Sequence, residues 1–235
     1  MKVSEDHVLS HRKHGYELLR GAGLEIGAFN VPACLPDDCS VEYCDVVTRE
    51  EAIGFFPELC LEDLVEVDHI CDLDMDGLNV FTESAFDFVI LNHVIEHVAY
   101  PIFFIDELFR ICRPGGMVVV SAPDKDFTFD KNRDLTPFAH LLGEYNKETK
   151  YVSDEHYLDF LQGVHPEVME LSDEEFAACL KSVRARREHA HVWTSQSFEE
   201  FFLESLSLLG IEARCVFERS GSDTSIEYFS VWEKY

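Results

Sequence analysis

The run Gly23-Leu24-Glu25-Ile26-Gly27-Ala28-Phe29-Asn30 places an acid inside a short apolar stretch and a glycine two residues later. That order reads as a buried strand breaking into a sharp turn at Gly27. A residue without Cβ takes such a turn and lets a ligand come close to the backbone. Ligands of open α/β sheets bind at the carboxyl ends of the strands. Asp45 and Asp72, each closing a later apolar run, are therefore expected on the same rim. The chemistry on offer is recognition, because carboxylates accept hydrogen bonds from hydroxyl, amino and ammonium groups. A tight strand–loop turn without a ligand is the competing reading.

Other residue types could do more than recognise. His93-Val94-Ile95-Glu96-His97 matches the H-x-x-E-H pattern of inverted zinc peptidases. On a helix, His93 and His97 would share a face and hold zinc, with Glu96 as the base. His140, His156, His165, His189 and His191 all fall between residues 124 and 195. The His-x-His at 189–191 could bind a metal, but spacing fixes no carboxylate or thiolate beside it. Scattered loop histidines are the ordinary reading. A neutral imidazole is also a suitable general base near pH 7, which makes His191 and His140 the candidate catalytic residues if the acceptor is a hydroxyl. Lys125, Lys131 and Arg133 form a local basic stretch. Either they are surface charge, or Lys125 and Arg133 bind an acceptor carrying phosphate or carboxylate.

Composition narrows the setting. The chain has 235 residues, 46% of them apolar, with 19 phenylalanines. That is enough for a sizeable core and excludes a disordered chain. Nineteen basic against 46 acidic residues give a net charge of −27. Nucleic acid and anionic membrane surfaces both need cationic partners, so neither is expected here. Eight cysteines show no CxxC spacing, and no apolar run is long enough to cross a bilayer. With no signal peptide evident, reduced thiols in a cytoplasm are the expectation.

The elements that must position these residues follow from periodicity. A helix is predicted over 4–20, ending at Gly21, then a strand near 23–26. Residues 31–40, with two prolines and two aspartates, read as loop. Val41–Asp45 is the second strand, and Thr48-Arg49-Glu50-Glu51 is a capping box opening a helix to about Leu59. A third strand is expected over Val65–Asp72 and a turn at Asp76-Gly77. Phe86–Leu91 is continuously apolar, as a strand buried on both faces is. Pro101 suits a first helical turn, with Ile102, Ile105, Leu108, Phe109 and Cys112 on one face. Arg113-Pro114-Gly115-Gly116 stops that helix before a fifth strand, Met117–Ala122. Strands alternating with helices at this spacing indicate a parallel, doubly wound sheet. Residues 124–195 are more charged, with helix starts at Ser153 and Ser172, and read as a helical cap over the rim. Ser197-Phe198-Glu199-Glu200 opens a further helix that Gly210 ends, and 211–218 with 225–232 form an antiparallel hairpin.

In that order the parts resemble the class I S-adenosylmethionine-dependent methyltransferases over nearly the whole chain. The resemblance rests on Leu24-Glu25-Ile26-Gly27, Tyr43-Cys44-Asp45, Cys71-Asp72-Leu73, the run Phe86–Val98, and Leu108–Gly116. It implies a Rossmann-like, seven-stranded, mostly parallel sheet with an antiparallel hairpin and a helical cap insert in one domain, 1–235. It implies S-adenosyl-L-methionine as cofactor and in-line methyl transfer to an oxygen or nitrogen of a small, anionic or sugar-like acceptor. Glu25, Gly27, Ala28, Phe29 and Asn30 would hold its methionine part. Asp45 would take both ribose hydroxyls, and Asp72 the adenine amino group, with Leu73 on the ring. Asn92 and His93 would line the methionine end. One departure stands out: the family often has Gly-x-Gly where this chain has Gly27-Ala28-Phe29, so Phe29 must point away or pack on the ligand. A narrower resemblance, in Pro123–Asp130, Arg133 and His191-Val192-Trp193-Thr194, is to a bacterial subgroup found with polysaccharide and glycosyl-transfer systems. Within this order the H-x-x-E-H run directly follows a buried strand, so no metal is expected at His93 and His97. A non-catalytic cofactor-binding or scaffold protein of the same fold is the second functional reading.

Overall fold

The structure is a computed structural model that describes residues 9–235. The predicted helix over 4–20 lies partly outside them. Within them it is a 3-10 turn, Ser10–Arg12, and a single helical turn, α1 (Lys13–Tyr16). The strands are β1 (Gly21–Ile26), β2 (Cys39–Asp45), β3 (His69–Ile70), β4 (Phe86–Asn92), β5 (Cys112–Pro123), β6 (Ala213–Arg219) and β7 (Glu227–Lys234). They form one sheet in the order β3-β2-β1-β4-β5-β7-β6. β1 through β5 run parallel, and β7 enters antiparallel between β5 and β6. Reversal of strand order between β1 and β4 opens the crevice where ligands of doubly wound sheets bind.

The third strand is shorter than predicted. β3 keeps two residues where Val65–Asp72 was expected, because Cys71 and Asp72 already turn the chain into α3 (Leu73–Asp76). The capping box at Thr48 forms and starts α2 (Arg49–Phe55), which stops short of Leu59 at Pro57. Pro101 opens α4 (Pro101–Ile111), whose apolar face is buried on the sheet.

Residues 124–194 add α5 (Phe138–Lys147), α6 (Asp154–Val164) and α7 (Asp173–Arg186), capped at Ser153 and Ser172 for the last two. Tyr157, Phe160, Leu161 and Val183 give them a small core of their own. α8 (Ser195–Leu209) begins three residues before the expected start, since Thr194, not Ser197, caps it; Gly210 ends it. Its Phe198 and Phe202 are fully buried, and Trp193 stacks on Phe201 at 5.3 Å. Each such ring contributes about 1.5–3 kcal/mol by leaving water, which welds the end of the insert to the main core. α9 (Gly221–Thr224) joins the hairpin strands.

Candidate active site

The carboxyl ends of β1, β2 and β4 meet at Gly27. Its φ is +70°, and a Cβ there would lie 2.4 Å from Val94 Cγ2 in the loop after β4. Its amide donates to the Cys44 carbonyl at 3.0 Å, tying the turn to β2. Phe29 also takes a positive φ, 52°, and sets its ring edge-on to Phe56 at 5.1 Å. This packing shows how Phe29 fits where a second glycine is usual.

Glu25 points into the interior and accepts the Ala33 amide on both oxygens at 3.0 Å. Burial pushes its carboxyl up to about 7, against the pull of that amide. Asp45 accepts the Val46 amide at 2.7 Å, and burial raises its pKa. No side-chain donor reaches Asp45 among the described residues. Asp45 lines a small open recess with Phe29, Val47 and Leu64. Asn92 donates to the Tyr16 hydroxyl at 3.0 Å, while its buried Oδ1 has no partner among the described residues.

Asp72 does not stand free as an adenine acceptor. It caps α3 through the Asp74 amide at 3.1 Å, and Arg187 from the insert grips both its oxygens. Burial would raise this carboxyl, but Arg187 holds it below the usual range. Asp72, expected at the adenine amino group, thus forms a clasp between rim and insert. Leu73 is buried in the main core.

His93 leaves β4 with φ +52° and gives Nε2 to Glu227 Oε2 at 2.8 Å. Glu227 is fully buried, and Arg12 engages it in a fork at 2.7 and 2.6 Å. Burial alone would raise the Glu227 carboxyl, but His11, His93 and Arg12 hold it well below the carboxylate range. Nothing in the sequence signalled this cluster, because Arg12, His93 and Glu227 meet from three distant segments.

The residues assigned to the acceptor and to the base make contacts within the insert. Arg133 is 2% exposed, paired with Asp130 at 2.8 Å and Asp159 at 2.8 Å. Gly163 lies so close over it that a Cβ there would stand 2.3 Å from Arg133 Cγ. Lys125 donates to the Arg133 carbonyl. The insert uses both side chains internally, with Arg133 buried and Lys125 half-buried. His191 is 1% exposed, with Nε2 on the Val98 carbonyl at 3.0 Å. Burial, then His156 and His140, lower its pKa well below the ordinary value, so it is held away from solvent as a neutral ring. His140 is half-exposed and sits 3.3 Å from His156 and 3.2 Å from Glu144.

The run 93–97 is a turn, not a helix; α4 starts later, at Pro101. Glu96 is 1% exposed, and burial pushes its carboxyl up to about 7. His97 gives Nδ1 to the Arg187 carbonyl, and burial pushes it down to about 3. His189 gives Nδ1 to Asp130 at 2.7 Å.

These groups suit a cationic, hydroxyl-bearing cofactor: a glycine turn, a carboxylate at Asp45 that no side chain of the described residues donates to, an orphaned carbonyl at Asn92 and an acid at Glu25. Comparison with known proteins agrees. The family profile described as "Methyltransferase domain" matches residues 45–205. No curated protein matches. Among solved structures, the chain is similar to CurJ carbon methyltransferase (16% identity, 92% of this chain, 49% of that one, TM-score 0.45). It is also similar to a SAM-dependent methyltransferase from Aquifex aeolicus (13% identity, 95% and 87%, TM-score 0.46). A Rhodobacter sphaeroides protein described as a Zn-dependent alcohol dehydrogenase overlays at TM-score 0.56 (12% identity, 100% and 91%), which speaks for the fold alone. The chain spans about half the length of the CurJ enzyme. With the family profile covering 161 of 235 residues and the sheet in the order described, the chain belongs to the methyltransferase-domain family and is an S-adenosylmethionine-binding methyltransferase.

Proposed function

We propose that the rim formed by β1, β2 and β4 binds S-adenosylmethionine and that the acceptor enters from the side of residues 124–194. Asp45 carries this reading: a carboxylate at the end of β2 that no side chain of the described residues donates to. It would take the ribose hydroxyls, while backbone at Gly27 passes the methionine part and Glu25 with Asn92 receives the ammonium group. The cofactor supplies a methyl group already activated on a sulfonium, so the protein's work is placement and exclusion of water. His93 keeps its Nε2 proton on Glu227, which leaves Nδ1 able to take a proton from a hydroxyl acceptor. It replaces His191 and His140 as the proposed base. Lys125 and Arg133 are engaged inside the insert, which supports an uncharged, sugar-like acceptor over an anionic one. Seven of the eight cysteines, Cys39, Cys44, Cys60, Cys71, Cys112, Cys179 and Cys215, are free thiols, which supports a reducing, cytoplasmic setting. No helix of the described residues is long and apolar enough to cross a membrane.

Asp45→Ala is expected to weaken binding of S-adenosylhomocysteine by about 1.5–3 kcal/mol, the range for hydrogen bonds to a charged group. Calorimetry on the folded variant measures it, and unchanged affinity removes Asp45 from the site. A screen of hydroxyl and amino acceptors with methyl-labelled cofactor then tests transfer itself.

A pH profile provides a second check. Glu25 is protonated below about 7 because burial disfavours its charge. Binding an ammonium group favours the ionised form, so a proton leaves on binding. Affinity should therefore rise with pH up to about 7, by up to roughly tenfold per pH unit, and level off above it. Glu25→Gln should flatten the profile. A wild-type profile that is already flat between pH 5.5 and 8 would detach Glu25 from the cofactor.

A further inference from the structure

Three imidazoles converge on one carboxylate oxygen just past β4. His97 Nε2 lies 3.7 Å from Glu96 Oε1, His189 Nε2 lies 3.8 Å away, and His93 Nδ1 lies 3.8 Å away. These separations are too long for hydrogen bonds. Glu96 is buried, and neither of its oxygens has a hydrogen-bond partner among the described residues.

The outer hydrogen bonds fix the orientation of each ring. His97 gives Nδ1 to the Arg187 carbonyl, His189 gives Nδ1 to Asp130, and His93 gives Nε2 to Glu227. A carbonyl or carboxylate can only accept, so each ring spends one N–H outward and turns its second nitrogen toward Glu96. Three imidazole nitrogens and a buried carboxyl without a hydrogen-bond partner thus converge on one point. Buried acceptors need a donor or a cation. A ring whose second nitrogen is held by a carboxylate or carbonyl is also how proteins orient histidine toward a metal.

We propose that Glu96, His97 and His189 bind a divalent transition-metal ion such as Zn²⁺, with the open position on the side of His93. One carboxylate and two imidazoles form a donor set that such ions take with a further position left for water or substrate. The three ligand atoms lie within 4.8 Å of one another. Bonds of about 2.0–2.1 Å imply ligand separations near 3.3 Å, so each imidazole needs to draw toward Glu96 by about half an ångström and the two imidazoles toward each other by up to about 1.5 Å. This reverses the expectation of no metal at His93 and His97. The missing ligand was His189, which the chain brings in from the end of the insert.

In the second cluster, His140, Glu144, His156 and His191, the carboxylate already has a hydrogen bond through Oε1, whereas neither oxygen of Glu96 has one. His156 and Glu144 stand 3.0 Å apart and His140 and His156 3.3 Å apart, spacings a proton bridges, and His191 Nε2 already sits on Val98.

The test uses the full chain, stripped with a chelator and titrated with Zn²⁺ by calorimetry, with elemental analysis and a Co²⁺ absorption spectrum. One equivalent should bind. Glu96→Gln, which keeps the shape, and His189→Ala should each weaken binding by at least about 100-fold, and Asp130→Asn by about 10–100-fold as a residue acting through His189. His140→Ala should leave binding unchanged. S-adenosylhomocysteine affinity measured on the same samples shows that each variant is folded and keeps the two sites separate. Absence of stoichiometric uptake by the unmodified chain overturns the proposal. So does uptake that survives Glu96→Gln and His189→Ala but is lost in His140→Ala.

Discussion

Arg12→Ala is expected to cost about 3–5 kcal/mol of folding stability, because it strands a buried carboxylate that lacks its main partner. Arg12 is 5% exposed and holds Glu227 in a two-pronged contact at 2.7 and 2.6 Å. For a chain of this length that loss lowers Tm by about 6–20 °C, readable by thermal and denaturant unfolding. Arg12→Ala with Glu227→Gln should recover most of it, since the penalty lies in the unpaired charge and not in missing attraction. The acid limb carries the same information. The folded pKa of Glu227 is depressed, so its contribution is complete above the unfolded value and is lost as pH falls through the folded one. Arg12→Ala should shrink that acid-dependent loss. A single-mutant cost under about 1 kcal/mol, the range of surface pairs, would mean that His11 and His93 hold the carboxylate unaided.

Arg133→Ala should cause a loss of similar size, about 3–5 kcal/mol, centred on the insert. Its guanidinium joins Asp130 and Asp159, lies 5.5 Å over the Phe160 ring and fills the space under Gly163. Asp130 in turn positions His189. Arg133→Lys restores charge but not the planar fork, so it should recover only part of the loss. Cofactor affinity should stay nearly constant, because Arg133 touches neither Asp45 nor Asn92. If Arg133→Ala left stability intact and raised KM for an acceptor, the original reading of Arg133 as an anion-binding residue would be restored.

Most of the sheet was legible because its signals are local. The apolar run at 86–91, the capping box at Thr48, Pro101 at a helix start and serines at 153 and 172 each act within a few residues. β3 was overestimated because Asp72, an apparent strand end, caps a helix instead. α5 was missed, for it begins at Pro137 without a polar capping side chain. The rim residues Gly27, Glu25 and Asp45 could be read for the same local reason: each ends a strand or turns the chain. What could not be read was pairing. Arg187 on Asp72, Asp130 on Arg133 and Arg12 on Glu227 join segments 115, 3 and 215 residues apart, and no pattern distinguishes a basic residue awaiting a ligand from one already matched. The histidines show both outcomes: the H-x-x-E-H spacing was visible, but its meaning depended on His189.

The antiparallel entry of β7 between β5 and β6 has a bearing on how the chain is made. β5 is an inner strand of the finished sheet, yet its neighbour follows every other strand in sequence. During synthesis, residues 112–123 therefore emerge with one backbone edge open and Val118, Val119 and Val120 uncovered. They stay so for the roughly hundred residues that precede residue 227, about 5–20 s at ordinary elongation rates. Such an edge is a template for pairing with other chains. A nascent chain halted after α8 should bind holdase chaperones and aggregate, while release of residues 227–234 should end both.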